Sequence, residues 1–302
     1  MNRIPHITTI NDFNKLMKQP TLHPLLTSIE PGRLENEEEY AFTGNFYAVY
    51  FKHAVCGDQR YGRRCCDFQY RTVAFAQPGD LVRLQRSDAT ADGISGILFH
   101  PEVFNQKSLI FKKNDYKFFA YRENESLHVS LQEQETLTDC LKHIEKETRT
   151  GIDRHSLRLI AVYIELLLDY CQRFYERQFI VRTNDNQAVL QRLADASQHY
   201  FELEGRKSVS DGVAFLQRTV DDLSPAYLND LVQNETGKTL SEYLRLKMLC
   251  HIKREIRCGL RPPQEIAARF GLPYQHAFKL LFGPGADCNA KEYARTCRDK
   301  LN

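Results

Sequence analysis

The sequence predicts an α+β protein of two domains: a β-sandwich or barrel with a helical pair after it, then an all-α carboxy-terminal domain. Three observations carry that reading. At 302 residues the chain exceeds an average domain. Apolar residues alternate in short runs between Tyr40 and Val129, whereas from Leu131 onward they recur at helical intervals. The composition, 42% hydrophobic and 26% charged, suits a chain that folds in water, which excludes wholesale disorder and collagen-like repeats.

Residues 1–36 are read as an amino-terminal arm and 37–130 as the β domain. Its expected strands are Asn45–His53, Cys66–Ala76, Leu81–Arg86, Gly96–His100 and Tyr116–Tyr121. Turn signals at Gly57, Pro78-Gly79 and Asp92-Gly93 separate them. The period of two in Phe46, Ala48, Tyr50 and in Phe68, Tyr70 suits strands with one buried face. A small-molecule pocket inside this domain would be lined by Phe46, Tyr50, Phe68 and Phe75, aromatics that an ordinary core also contains.

The helical pair covers 131–181. Its first helix carries Leu137, Leu141 and Ile144, its second Leu157, Ile160, Ile164, Leu167, Cys171 and Phe174. The second adds Leu159, Val162, Tyr163, Leu166 and Leu168, so it is apolar on more than one side and must bury two faces. A second subunit on the outer face would make the chain a homodimer through 131–181; burial wholly within the chain is the alternative. Residues 182–186, Arg-Thr-Asn-Asp-Asn, are short and polar and are read as the linker.

Residues 187–302 are helical throughout. Ser208 with Asp211 forms a capping box, Ser224-Pro225 opens the next helix, and Gly237 closes it. Two short helices joined by a tight turn have the dimensions of a helix-turn-helix. Thr239 with Glu242 then starts a long helix, Leu240 to Cys258, which at about 1.5 Å per residue spans roughly 28 Å. A second corner follows, from Pro262-Pro263 through Gly271 to a helix over Tyr274–Phe282. Major grooves on one face of DNA recur about every 34 Å, so such a strut suits two recognition helices in neighbouring grooves.

Charge agrees with that placement. Residues 238–302 hold 13 Lys and Arg against 6 Asp and Glu, a local +7 that leaves −5 on the rest of a +2 chain, and this asymmetry points to an acidic partner, double-stranded DNA first.

The chain Leu223-Ser224-Pro225-Ala226-Tyr227-Leu228, Glu235 to Thr239, Glu242-Tyr243 and Glu265 to Leu272 resembles the double helix-turn-helix domain of AraC-type (AraC/XylS) transcription regulators, over about 187–295. The resemblance implies a cupin-like barrel for the β domain, operator binding, often as a dimer, control by a small-molecule effector, and contact with RNA polymerase. It places base contacts at Ala226, Asn229, Asp230 and Gln233 in the first recognition helix and at Gln275, His276 and Lys279 in the second. Asn and Gln can pair with adenine, and Asp can accept from cytosine. Arg245, Lys247, Lys253, Arg254, Arg257 and Arg261 are candidates for phosphate contacts. The chain departs from the family at Phe282-Gly283-Pro284, where a basic pair is usual, and at Asp287 and Ala290.

Two other function classes were weighed. A metal-dependent cupin enzyme would need converging ligands; His53, His100 and His128, with Cys65, Cys66 and Glu102, do not form a His-x-His pair followed by a carboxylate. No phosphate loop, nucleophile elbow or zinc-protease motif occurs, so no catalytic residue, metal or cofactor is expected. A protein-interaction scaffold with a degenerate second corner is the other. The nine cysteines read as reduced thiols. The longest apolar stretch, Leu157 to Cys171, is shorter than the roughly 20 residues of a spanning helix and is broken by Glu165 and Asp169. Met1 to Pro20 does not read as a signal peptide, so the expected address is the cytoplasm, with no membrane partner.

Overall fold

Strand β4 (Tyr47–Lys52) organises the amino-terminal unit, because all six of its residues are buried. It pairs antiparallel with β5 (Arg71–Ala76), Ala48 opposite Ala76, and with β7 (Gly96–Phe99), Tyr47 opposite Phe99. With β2 (Leu26–Ile29) beyond β7 and β8 (Leu127–Val129) beyond β5, these make a five-stranded sheet. A second sheet has the order β1 (His6–Ile7), β3 (Glu39–Gly44), β6 (Leu81–Gln85), with β1 and β3 parallel. Gly96 stands against β4, where a Cβ would lie 2.2 Å from the Val49 carbonyl oxygen, so β7 reaches its partner this closely only with glycine.

This computed structural model describes residues 4–33, 39–53, 67–68, 70–88, 93–104, 116–205, 207–258 and 261–271. Among the described residues there are two sheets and eight α-helices, and the chain divides into two compact units, 1–183 and 184–302, so it is a mixed α and β protein. Among the described residues no helix is long and apolar enough to cross a membrane.

One apolar core joins both sheets, with Phe42, Val82 and Leu84 from one and Ala48, Tyr50, Ala74, Ala76 and Leu98 from the other. Helix α1 (Ile10–Leu16) fills it further with Ile10 and Phe13. Residues 4–33 are therefore not a detached arm. They supply β1, α1 and β2, and Ile10 and Phe13 are almost wholly buried.

Two further expectations need correction. Strand β4 buries both faces, because the far side of the five-stranded sheet is covered as well: Tyr47 meets the Phe119 ring at 4.9 Å, and Phe75 meets Phe118 at 4.5 Å. Tyr116–Tyr121 is not a strand but contains a 3-10 turn, Lys117–Ala120. Phe118 and Phe119 are both buried there, which neighbours on a strand, pointing to opposite faces, would not achieve on one side of a sheet.

Helices α2 (Leu131–Arg149) and α3 (Ser156–Val181) pack on each other and on β8. Ser130 and Glu133 form a capping box at the start of α2. Helix α3 buries Ile160, Ile164, Leu167, Cys171 and Phe174, while Leu159, Val162 and Leu166 are 42–45% exposed on the opposite side.

Two buried ion pairs fix this unit. Lys52 Nζ lies 2.6 Å from Asp88 Oδ2, both side chains fully buried. The carboxylate also accepts from the His53 and Gln85 amides, at 2.9 and 2.8 Å, and Lys52 donates to the Arg83 carbonyl at 2.9 Å. At the end of α3, Arg182 donates to both oxygens of buried Asp67, at 3.0 and 2.6 Å.

The stretch 182–186 is accordingly no irregular linker. Arg182 is buried, and α4 (Thr183–Glu202) begins at the next residue. Its polar side chains are used within helical structure: Thr183 Oγ1 donates to the Ile180 carbonyl at 2.6 Å, and Asn186 Nδ2 donates to Glu235 Oε1 at 2.7 Å.

Candidate nucleic-acid interface

The carboxy-terminal unit builds its first corner from capped pieces. Helix α5 (Val209–Thr219) starts at Ser208, whose hydroxyl accepts from the Asp211 amide at 3.0 Å. Helix α6 (Pro225–Thr236) starts at Ser224, accepting from the Tyr227 amide at 3.2 Å, with Pro225 in the first turn. Gly237 ends it at φ 68°, a left-handed conformation that a side chain disfavours. Thr239 and Glu242 exchange bonds at the start of α7 (Leu240–Cys258), and these hold the Glu242 carboxyl below its usual range. The starts at Ser224 and Thr239 match the expected signals, whereas at Ser208 only half of the expected box forms, its amide donating to the Tyr200 hydroxyl at 3.2 Å instead of to Asp211.

The corner sits on α7 through Leu216, Val220, Leu228, Val232, Leu240 and Leu244. Gly212 lets α5 approach: a Cβ there would meet Leu244 Cδ2 at 2.5 Å and Tyr200 Cε1 at 2.9 Å. With Leu228, Leu231 and Val232 buried, α6 turns Gln233 fully to solvent, while Ala226, Asn229 and Asp230 are half-buried.

Asn229 has a use that its position in the sequence does not reveal. Its Oδ1 accepts from the Leu240 amide at 3.1 Å, tying α6 to the first turn of α7, and its Nδ2 donates to Asp230 Oδ1 at 3.2 Å. Both ends of the amide are engaged, so bidentate adenine reading would require releasing two bonds. Asn229→Ala is therefore expected to cost about 1 kcal/mol of stability, as loss of a cap does. Chemical denaturation checks this; an alanine variant as stable as the parent would mean that the bond to the Leu240 amide does not brace α6 against α7.

Arg245 and Lys247 are exposed on α7, Lys247 Nζ lying 5.3 Å from the centre of the Tyr243 ring. Other candidate phosphate contacts have acidic neighbours: Arg254 lies 4.0 Å from Glu202, and Arg261 lies 3.5 Å from Glu204. Lys253 is half-buried and Arg257 exposed.

Helix α8 (Pro263–Arg269) is the described part of the expected second corner, whose partner helix over Tyr274–Phe282 lies outside the described residues. Arg269, 9% exposed, pairs with Glu255 of α7 at 3.1 Å and donates to the Leu203 carbonyl at 2.7 Å and to that of Phe201. The sequence offered no sign of this anchor beyond an arginine ending an apolar helix. His251, 3.5 Å from Glu255, is pushed below its usual pKa by burial. Gln275, His276 and Lys279 lie outside the described residues, as do Phe282-Gly283-Pro284, Asp287 and Ala290.

The four aromatics expected to line one effector pocket do not share one. Phe46 is buried in the inter-sheet core, and Phe68 is 41% exposed with the Arg177 guanidinium 4.7 Å over its ring. Tyr50 and Phe75 reach a cleft of about 310 Å³. His128 is buried beside Thr72 Oγ1 at 3.0 Å, His100 lies 3.8 Å from Glu102, and His53 is exposed. Among the described residues no three His, Cys, Asp or Glu are grouped so as to hold a metal; Cys65 and Cys66 lie outside them. Compared with protein-family models, curated proteins and solved structures, the chain matches none.

Proposed function

We propose that the chain is a sequence-specific DNA-binding transcription regulator of the AraC type, with a cupin-like amino-terminal half and a double helix-turn-helix carboxy-terminal half. The observation that carries this reading is the capped α5–turn–α6 corner seated on α7, beside exposed Arg245 and Lys247. Exposed Gln233 and half-buried Ala226 are the reading residues of α6 least committed elsewhere, and Arg245 and Lys247 neutralise phosphates. The pairs of Arg254 and Arg261 are exposed enough to exchange a carboxylate for a phosphate.

A mobility shift on the gene's own upstream DNA tests the reading. It requires binding that resists random competitor and falls steeply with salt. Arg245→Ala is expected to weaken binding alike on all sequences and to reduce the salt slope by about 1, read from the same shifts at several salt concentrations.

The reading includes a homodimer through 131–181. Leu159, Val162 and Leu166, at i, i+3 and i+7, form an apolar stripe on α3 opposite its buried face. Val162→Glu places a carboxylate in the centre of that stripe, where it would lose its water. Sedimentation equilibrium is expected to show a dimer for the parent and a monomer for the variant; a monomeric parent at the concentrations used for DNA binding contradicts the dimer.

Control by a small ligand in the amino-terminal half and contact with RNA polymerase belong to the same proposal.

A further inference from the structure

The cleft that Tyr50 and Phe75 reach borders the inter-sheet core, with Tyr50 and Ala74 shared between the two. Along β6, Val82 and Leu84 face that core, so Leu81 and Arg83, which line the cleft, project from the other side of the strand. The core itself is filled by the chain's own side chains, Phe13 of α1 among them.

Aromatic rings line part of the cleft, with Phe75 and Tyr121 half-buried and Phe118 and Tyr175 buried behind them. Tyr175 of α3 stacks on Phe118 at 5.5 Å and meets Tyr121 edge-on at 5.2 Å, and Phe118 lies against Phe75. The rim carries two guanidinium groups, Arg83 and Arg122, and two carboxyl groups, Asp80 and Glu123. Arg83 Nη1 and Glu123 Oε2 pair at 2.9 Å, with about a third of each side chain exposed. The Asp80 carboxyl accepts from the Gln77 amide at 3.0 Å, and burial raises its pKa.

Equal numbers of opposite charges beside these rings select against ligands of one sign. An anion would gain Arg83 but strand Glu123 beside Asp80, and a cation would do the reverse. A ligand bearing both charges on one carbon can open the Arg83–Glu123 pair and replace it with two, and a pair about a third exposed opens at modest cost. A flat apolar side chain would complete the fit against the rings. From these features we infer that the cleft binds a zwitterionic α-amino acid with an aromatic side chain, its carboxylate on Arg83 and its ammonium on Glu123. This rests on the reading of the amino-terminal half as the sensing half of a regulator and names the ligand class it senses.

Calorimetric titration of the full chain with L-phenylalanine tests the assignment, with 3-phenylpropanoate and phenethylamine as probes that keep one charge each. Saturable binding of L-phenylalanine is expected, at least tenfold tighter than either single-charge probe and weakened at least tenfold by Arg83→Leu and by Glu123→Gln. The melting curves of both variants check that they remain folded. Failure of L-phenylalanine to bind, equal binding of the three probes, or binding indifferent to both substitutions overturns the proposal. DNA binding by the same ligand-free variants is measured alongside. Intact DNA binding without amino-acid binding removes the site alone, and amino-acid binding without DNA binding removes the regulator reading alone.

Discussion

Asp88→Ala is expected to destabilise the amino-terminal unit by about 3–5 kcal/mol, the range for breaking a buried ion pair by removing one partner. The reason lies in what is left behind. Lys52 would lose its ion-pair partner at a fully buried position, and the His53 and Gln85 amides would lose their acceptor. Asp88→Asn should be milder, since it keeps an acceptor oxygen while losing the charge. Denaturant titration of the full chain, followed by tyrosine fluorescence and circular dichroism, measures both. An alanine variant as stable as the parent would mean that water reaches Lys52 and that the pair does not hold β4 to the turn at Arg86–Asp88.

Arg269→Met carries the second large effect, in the other unit. The substitution keeps an apolar stem of similar length but leaves the buried Glu255 carboxylate without its guanidinium, with His251 at 3.5 Å still beside it, and takes the Arg269 donor from the Leu203 and Phe201 carbonyls. About 3 kcal/mol of local stability is expected to be lost, concentrated where α8 meets the end of α4 and the last turn of α7. Hydrogen exchange should show faster exchange in α8 than in α5 and α6, whose caps and core are untouched. On the proposed reading the DNA footprint then shrinks toward the half read by α6. Uniform exchange throughout the unit would show that Arg269 supports all of it and not the second corner in particular.

Legibility in the sequence followed the range of the interactions. Helix starts at Ser208, Ser224 and Thr239 depend on bonds between residues three apart, so residue type and spacing sufficed. The extent of α7 was equally plain, because its stripe ends in glycine. Strand β1 and helix α1 were missed: β1 is only two residues long, and its pairing with β3 joins His6 to Thr43, a separation that local patterning does not report. The polar run 182–186 does contain the division between the two units, at 183/184, but its helical conformation was hidden for a related reason. Arg182 is satisfied by Asp67 and Asn186 by Glu235, both far along the chain, and without those partners the segment reads as a loop. Asn229 is the clearest case at the candidate interface. The family resemblance placed it among the base-reading positions, while it is half-buried and its bond to the Leu240 amide, eleven residues on, makes it a brace between α6 and α7.

Selection of duplexes from a randomised pool by the full chain, followed by affinity measurement on the enriched sequence and on its scrambled counterpart, tests the account most directly. Enrichment of one site, bound at least a hundredfold tighter than the scramble and with an affinity that falls steeply as salt rises, is the result the account predicts. Recovery of no common sequence, with equal affinity for enriched and scrambled duplexes, would contradict it.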